Sequence, residues 1–242
     1  SNYEFQNYSK AINDFSKAIE LNPVNADAYY NRGLSNYNLK DYTSAIRDYS
    51  KTIELTPNDT DAYYNRGLAY SDLKEYQLSI KDYTKVIELN SHFVYAYNNR
   101  GFLYNQLKDY SLAIKDFTKA IELDANYSKA YYNRGLAYDN SKNYALAIKD
   151  YSKTIELAPD NSNAYYNRGN SYNHLKDYPL AIKDYTKVIE LNSHFANAYN
   201  NRGYLYGFKG DYKAATKDAK KACSLGSCGL FDIMKKNGYL KD

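Results

Sequence analysis

The chain has 242 residues, 25% of them charged and 44% hydrophobic, a balance that supports a folded core and excludes a disordered chain. Its 32 basic and 28 acidic residues leave a net charge of +4, too small at this size to argue for nucleic acid. Two cysteines exclude a disulfide-rich scaffold, no apolar run reaches the length of a membrane span, and the first residues do not read as a signal peptide.

The segment Asn-Arg-Gly recurs with its glycine at 33, 67, 101, 135, 169 and 203, every interval being 34 residues. A fixed period of that size means stacked units rather than one compact core. In chain order, residues 1–25 read as a cut unit: a stub over about 2–6, then a helix over about 8–21. Tyr8, Ala11, Ile12, Phe15 and Ile19 form that helix's apolar stripe. Six complete units follow at 26–59, 60–93, 94–127, 128–161, 162–195 and 196–226. Each reads as a helix A (Ala62–Lys74 in the second), a short turn, and a helix B (Tyr76–Leu89). The turn residues Asp41, Glu75, Asp109, Asn143, Asp177 and Asp211 suit a helix N-terminus. Gly on helix A and a small residue on helix B (Ala45, Ser79, Ala113, Ala147, Ala181, Ala215) predict a close crossing of the two backbones. The sixth unit is degenerate, with Lys209, Ala219 and Cys223 in place of larger or more apolar residues. The segment 227–242 reads as a capping helix over about 230–237. A longer period overlies the short one: Leu-Asn-Ser-His-Phe stands at 89–93 and again at 191–195, three units apart.

Each unit carries an aromatic residue, Gly four later and usually Tyr three after that (Tyr63, Gly67, Tyr70). The small residue of helix B follows, then an aromatic four later (Tyr49, Tyr83, Phe117, Tyr151, Tyr185), and in places Pro (Pro23, Pro57, Pro159). This pattern resembles the tetratricopeptide repeat (TPR). It departs from it in having Tyr for Trp, Arg for Leu before the glycine, and Asn36 for one Tyr. The resemblance implies an all-α fold, a right-handed α-solenoid of six complete helix-turn-helix units with an N-terminal half unit and a C-terminal capping helix. It also implies a concave groove lined by the A helices and a non-catalytic protein–protein interaction scaffold.

On helix A, Asp61, Tyr64, Asn65, Leu68 and Asp72 fall opposite the Tyr63–Gly67–Tyr70 side, on the face that lines the groove in the family. That face repeats Asn31, Asn65, Asn99, Asn133, Asn167 and Asn201, beside Tyr30, Tyr64, Tyr132 and Tyr166. A carboxamide offers both donor and acceptor, so one per unit can hold an extended peptide by its backbone. A similar ladder lines the groove of the tetratricopeptide superhelix in O-linked N-acetylglucosamine transferase. The alternative is that these asparagines bond to adjacent helices and only set the superhelix. The groove charges are Asp27, Asp61, Asp72 and Asp139 against Lys129, mildly acidic, which argues against a basic RNA-reading groove. Arg32, Arg66, Arg100, Arg134, Arg168 and Arg202 lie between core and neighbouring unit. Asp48, Asp82, Asp116, Asp150, Asp184 and Asp218, each sixteen residues later, predict a structural ladder of ion pairs.

His92, His174 and His194 are scattered, and no metal-ligand spacing, phosphate loop or nucleophile elbow is present, so neither cofactor nor enzyme activity is expected. Cys223 and Cys228 flank a turn and either form a disulfide to the cap or remain buried thiols. The expected partner is a protein or peptide, with no nucleic acid and no membrane insertion. The truncated first helix offers a patch for self-association, and the compartment stays open, with the cytoplasm preferred. The competing function is a structural module that uses its edges or convex face and leaves the groove empty.

Overall fold

The computed structural model describes the backbone of residues 2–239 and the side chains of 6–239; the alternative to self-association, in which the stub around Phe5 folds over the first helix, involves a side chain outside that range. The described residues form fourteen helices and no strand. The helices divide into two compact units, Ser1–Ala125 and Asn126–Asp242. The first contains α1 (Asn2–Leu21), α2 (Ala26–Asn38), α3 (Tyr42–Leu55), α4 (Thr60–Asp72), α5 (Tyr76–Leu89), α6 (Val94–Gln106) and α7 (Tyr110–Leu123). The second contains α8 (Ser128–Asn140), α9 (Tyr144–Leu157), α10 (Ser162–His174), α11 (Tyr178–Leu191), α12 (Ala196–Phe208), α13 (Tyr212–Ser224) and α14 (Gly229–Lys236).

Even-numbered helices α2 to α12 are the A helices and each packs on the helix that follows it. Helix B of the second repeat runs over the expected Tyr76–Leu89, whereas helix A begins and ends two residues earlier than expected. Asp59 sets that start, its side chain accepting from the Ala62 N–H. The expected stub before Tyr8 is absent: α1 is unbroken from Asn2 to Leu21, so that segment cannot fold back over the helix. Tyr8, Ile12 and Phe15 are half-buried, with α1 packed on α2.

The A–B turn is closed by a lysine in the left-handed region. Lys40, Lys74, Lys108, Lys142 and Lys176 all have φ between 62° and 64°, and Gly210 takes the place in the last repeat. In the first of these turns Asp41 N–H bonds Asn36 C=O at 2.9 Å and Lys40 N–H bonds Tyr37 C=O at 2.8 Å, a Schellman ending. Asp41 then caps the next helix, accepting from the Ser44 N–H. One residue ends helix A and the next starts helix B.

The core of each unit is built on fully buried aromatics, Tyr49, Tyr83 and Phe117 in the first and Tyr151 and Tyr185 in the second. These rings, rather than a bare backbone crossing, are what the helix A glycines admit. A Cβ on Gly135 would lie 2.8 Å from the Tyr151 ring, and one on Gly67 2.9 Å from that of Tyr83. Helix B backbone is the next atom met at Gly101, where Ala113 O lies 3.2 Å away. Ser79 fits a small-residue position because its hydroxyl donates to Gly67 C=O at 2.6 Å. In α13 the aromatic position holds Ala219, and Leu230 of α14 fills the vacant slot, 2.6 Å from where a Gly203 Cβ would stand. The cap thus completes the last repeat's core.

Candidate functional site: the helix A face

Arginine and aspartate form the rigid part of each repeat. Arg66 donates through Nε to Asp82 Oδ2 at 2.8 Å and through Nη2 to Oδ1 at 2.7 Å. The same fork joins Arg32–Asp48, Arg100–Asp116, Arg134–Asp150, Arg168–Asp184 and Arg202–Asp218. All six aspartates are buried. Nη1 turns to a hydroxyl of the preceding repeat: Ser16 for Arg32, Ser50 for Arg66, Thr84 for Arg100, Ser152 for Arg168 and Thr186 for Arg202. The Arg66 guanidinium also lies 5.5 Å from the Tyr63 ring centre and 5.9 Å from that of Tyr70. Asn36, in the place of that second tyrosine, donates to Asp48 instead. The arginines are therefore engaged within the scaffold, as the sixteen-residue spacing predicts.

The asparagines are tied to the repeat before them. Asn65 Nδ2 donates to Tyr30 Oη at 2.8 Å and Asn99 to Tyr64 at 3.1 Å in the first unit. In the second, Asn167 donates to Tyr132 at 3.0 Å and Asn201 to Tyr166 at 3.2 Å. Asn31 donates to its own helix at Asp27 C=O, and Asn133 is buried, only 7% exposed. Asn65, Asn99, Asn167 and Asn201 are half-exposed, as are Tyr30, Tyr64, Tyr132 and Tyr166. Each of these tyrosines leans towards its own repeat's core: Tyr64 lies 5.8 Å from Tyr83, and Tyr166 5.9 Å from Tyr185. The recurring Phe93 and Phe195 pack on Tyr64 and Tyr166 at 5.0 and 4.9 Å, which gives the 102-residue period a local role.

The bonds leave complementary chemistry on the surface. The Oδ1 acceptors of Asn65 and Asn167, and the O–H protons of their partner tyrosines, enter no hydrogen bond among the described residues. Asn99 differs, since its Oδ1 accepts from the buried Asn98. Around Asn201 the face opens into a 360 Å3 cavity walled by Asn173, Tyr178, Tyr204, Leu205 and Phe208. Two expected ligand-facing acids are used internally: Asp72 accepts from Tyr37 at 2.7 Å, and Asp139 from Ser171 at 2.8 Å. Burial raises the Asp139 carboxyl above its ordinary value, against the hydrogen bonds from Ser171 and Tyr151.

Cys223 and Cys228 are joined as a disulfide between the end of α13 and the start of α14. Among the described residues no three His, Cys, Asp or Glu side chains converge as a metal site, and no helix is long and apolar enough to cross a membrane.

Models of the tetratricopeptide repeat match residues 60–93, 94–127, 128–161, 162–195 and 196–225, and a TPR-repeat model matches 3–40 and 37–74. The chain belongs to the tetratricopeptide-repeat family. Its fold is the all-α solenoid of TPR helix pairs, one that typically serves as a non-catalytic protein-interaction scaffold. No curated protein matches it. Among solved structures, the C-terminal part of a TPR repeat-containing protein from Cytophaga hutchinsonii is similar at 22% identity, covering 100% of this chain and 98% of that one, with a TM-score of 0.81. A MamA protein matches at 28% identity over 71% of this chain and 94% of its own, TM-score 0.66. YrrB, a TPR protein with an unusual peptide-binding site, matches at 24% over 76% and 95%, also at 0.66.

Proposed function

We propose that this TPR scaffold binds an extended peptide or partner segment along its helix A face, through the backbone of the bound chain. The observation that carries this reading is the pairing of asparagine and tyrosine between successive repeats. Asn65, Asn99, Asn167 and Asn201 are each fixed by an N–H bond to a tyrosine of the repeat before, which lowers the ordering cost of binding. Where the carboxamide Oδ1 stays open, the acceptor and the tyrosine O–H donor match the N–H and C=O of a passing peptide. Tyr204, Phe208 and Tyr178 around the Asn201 cavity add apolar contact for a side chain of that segment.

The test is the triple change Asn65→Ala, Asn167→Ala and Asn201→Ala, assayed against a peptide selected from an unbiased library. Binding falls by at least tenfold while the melting temperature drops only modestly, each half-exposed hydrogen bond being worth about 1 kcal/mol. Unchanged binding would assign the asparagines to the scaffold alone.

A further inference from the structure

The charge of the chain is concentrated at one end. Residues 209–236 carry seven lysines and three aspartates, a surplus that equals the net +4 of the whole molecule. All seven lysines are exposed. Four of them, Lys213, Lys217, Lys220 and Lys221, stand at i, i+4, i+7 and i+8 on α13 and so share one face.

The preceding B helices show what has changed there. In α11 Lys187 is neutralised by Glu190 at 3.2 Å, and Lys51, Lys85, Lys119 and Lys153 have the same partner three residues on. In α13 the corresponding residue is Ser224, so Lys221 has no such carboxylate three residues on. The position held by Ser16, Ser50, Thr84, Ser152 and Thr186, the hydroxyls that receive an arginine, is Lys220 in α13. An acid is lost and a base is gained on the helix against which α14 packs. Large apolar side chains are exposed on the flanking helices: Phe208 at 73% and Ile233 at 45%, with Tyr239 just beyond α14 at 49%.

We infer that the α13 end of the second unit docks on an anionic lipid surface. Charge complementarity requires a negative partner, and the residue types select among negative partners. No arginine follows Arg202, the last of seven in the chain. Arginine is the residue that pairs carboxylates in a bidentate fork, and lysine is depleted in protein interfaces. A cluster of lysines on a helix, acting as point charges in a diffuse field, is what an anionic leaflet attracts. Exposed phenylalanine, isoleucine and tyrosine supply the second, apolar signal that reversible membrane binding needs. The docking is peripheral and shares only Phe208 with the cavity of the helix A face, so the lysine replacements test it apart from the peptide reading.

The experiment is co-sedimentation of the full chain with phosphatidylcholine vesicles, with and without phosphatidylserine. Binding should require phosphatidylserine and weaken steeply as salt rises. Replacing Lys217, Lys220 and Lys221 by Gln should lower the partition coefficient on the order of a hundredfold. The same replacement at Lys81, Lys115 and Lys149 should have little effect. Phe208→Ala should weaken binding without changing its salt dependence. No binding to phosphatidylserine vesicles at low salt, or equal loss from both lysine sets, would overturn the inference. So would lysine-dependent binding of oligoglutamate or single-stranded RNA by a chain that ignores the vesicles.

Discussion

Five lysines occupy the tightest bends of the molecule. At φ near 63° an L side chain costs about 1–2 kcal/mol, yet Lys40, Lys74, Lys108, Lys142 and Lys176 all adopt it. Glycine escapes that cost but loses about 0.5–1 kcal/mol through the freedom of the unfolded chain. The first effect is the larger, and Gly210 already fills the matching place in the last repeat. Lys74→Gly is therefore expected to stabilise the protein by about 0.5–1 kcal/mol, read as a higher denaturant midpoint at unchanged slope. These turns were visible in the sequence only through the Asp, Glu or Asn that follows each lysine; nothing in lysine itself announces a left-handed residue. Asp139 makes a second prediction at this scale. Its carboxyl is raised by burial, so the folded state holds a proton that the unfolded state has already released. Between the ordinary carboxylate range and the raised value, stability falls as pH rises. Asp139→Asn keeps an acceptor for Ser171 without the charge. Its melting temperature should exceed the parent's at neutral pH, with the gap closing as acid protonates the parent; a gap independent of pH would refute the assignment.

Between helices, the ion-pair ladder decides the energetics. Asp116 is buried and receives both nitrogens of the Arg100 fork. Arg100→Ala should cost about 3 kcal/mol or more, because it leaves a buried carboxylate unpaired. The double change Arg100→Met with Asp116→Leu should cost less than the single one, because it removes both charges together. Denaturant melts of the three proteins measure the difference, and equal losses would mean that the pair contributes only packing. The Arg–Asp pairing was legible because both residues recur sixteen apart in every full repeat. The third contact, from Nη1 to a hydroxyl, was not singled out, although its column of Ser16, Ser50, Thr84, Ser152 and Thr186 keeps the same 34-residue period. Tyr64 shows the limit of sorting by helical angle. It falls opposite the core side of α4, yet its long side chain leans back until its ring meets Tyr83. The aromatic slot under Gly203 was also hidden, since Leu230 reaches it from a separate helix.

At the scale of the whole chain, the 34-residue period made the helix pairs and the family readable, because each repeat is one local unit packed on the next. The proposed binding face was only half readable. Its asparagines and tyrosines were picked out by recurrence, but the bond from each carboxamide to the tyrosine 35 residues earlier depends on how repeats stack. Those bonds engage an N–H of each of these four carboxamides and leave the Oδ1 acceptor open at Asn65 and Asn167. The first unit presents such pairs at Asn65–Tyr30 and Asn99–Tyr64, the second at Asn167–Tyr132 and Asn201–Tyr166. If they grip a bound segment by its backbone, the identity of its side chains should matter less than its amide hydrogens. The most direct measurement is calorimetric titration of a library-selected peptide against two altered forms, one N-methylated at alternate amides and one with its side chains scrambled. The account predicts that N-methylation weakens binding by about tenfold or more, since several hydrogen bonds of about 1 kcal/mol are lost, while the scrambled peptide keeps most of its affinity. Full affinity in the N-methylated peptide, with binding lost on scrambling, would contradict it.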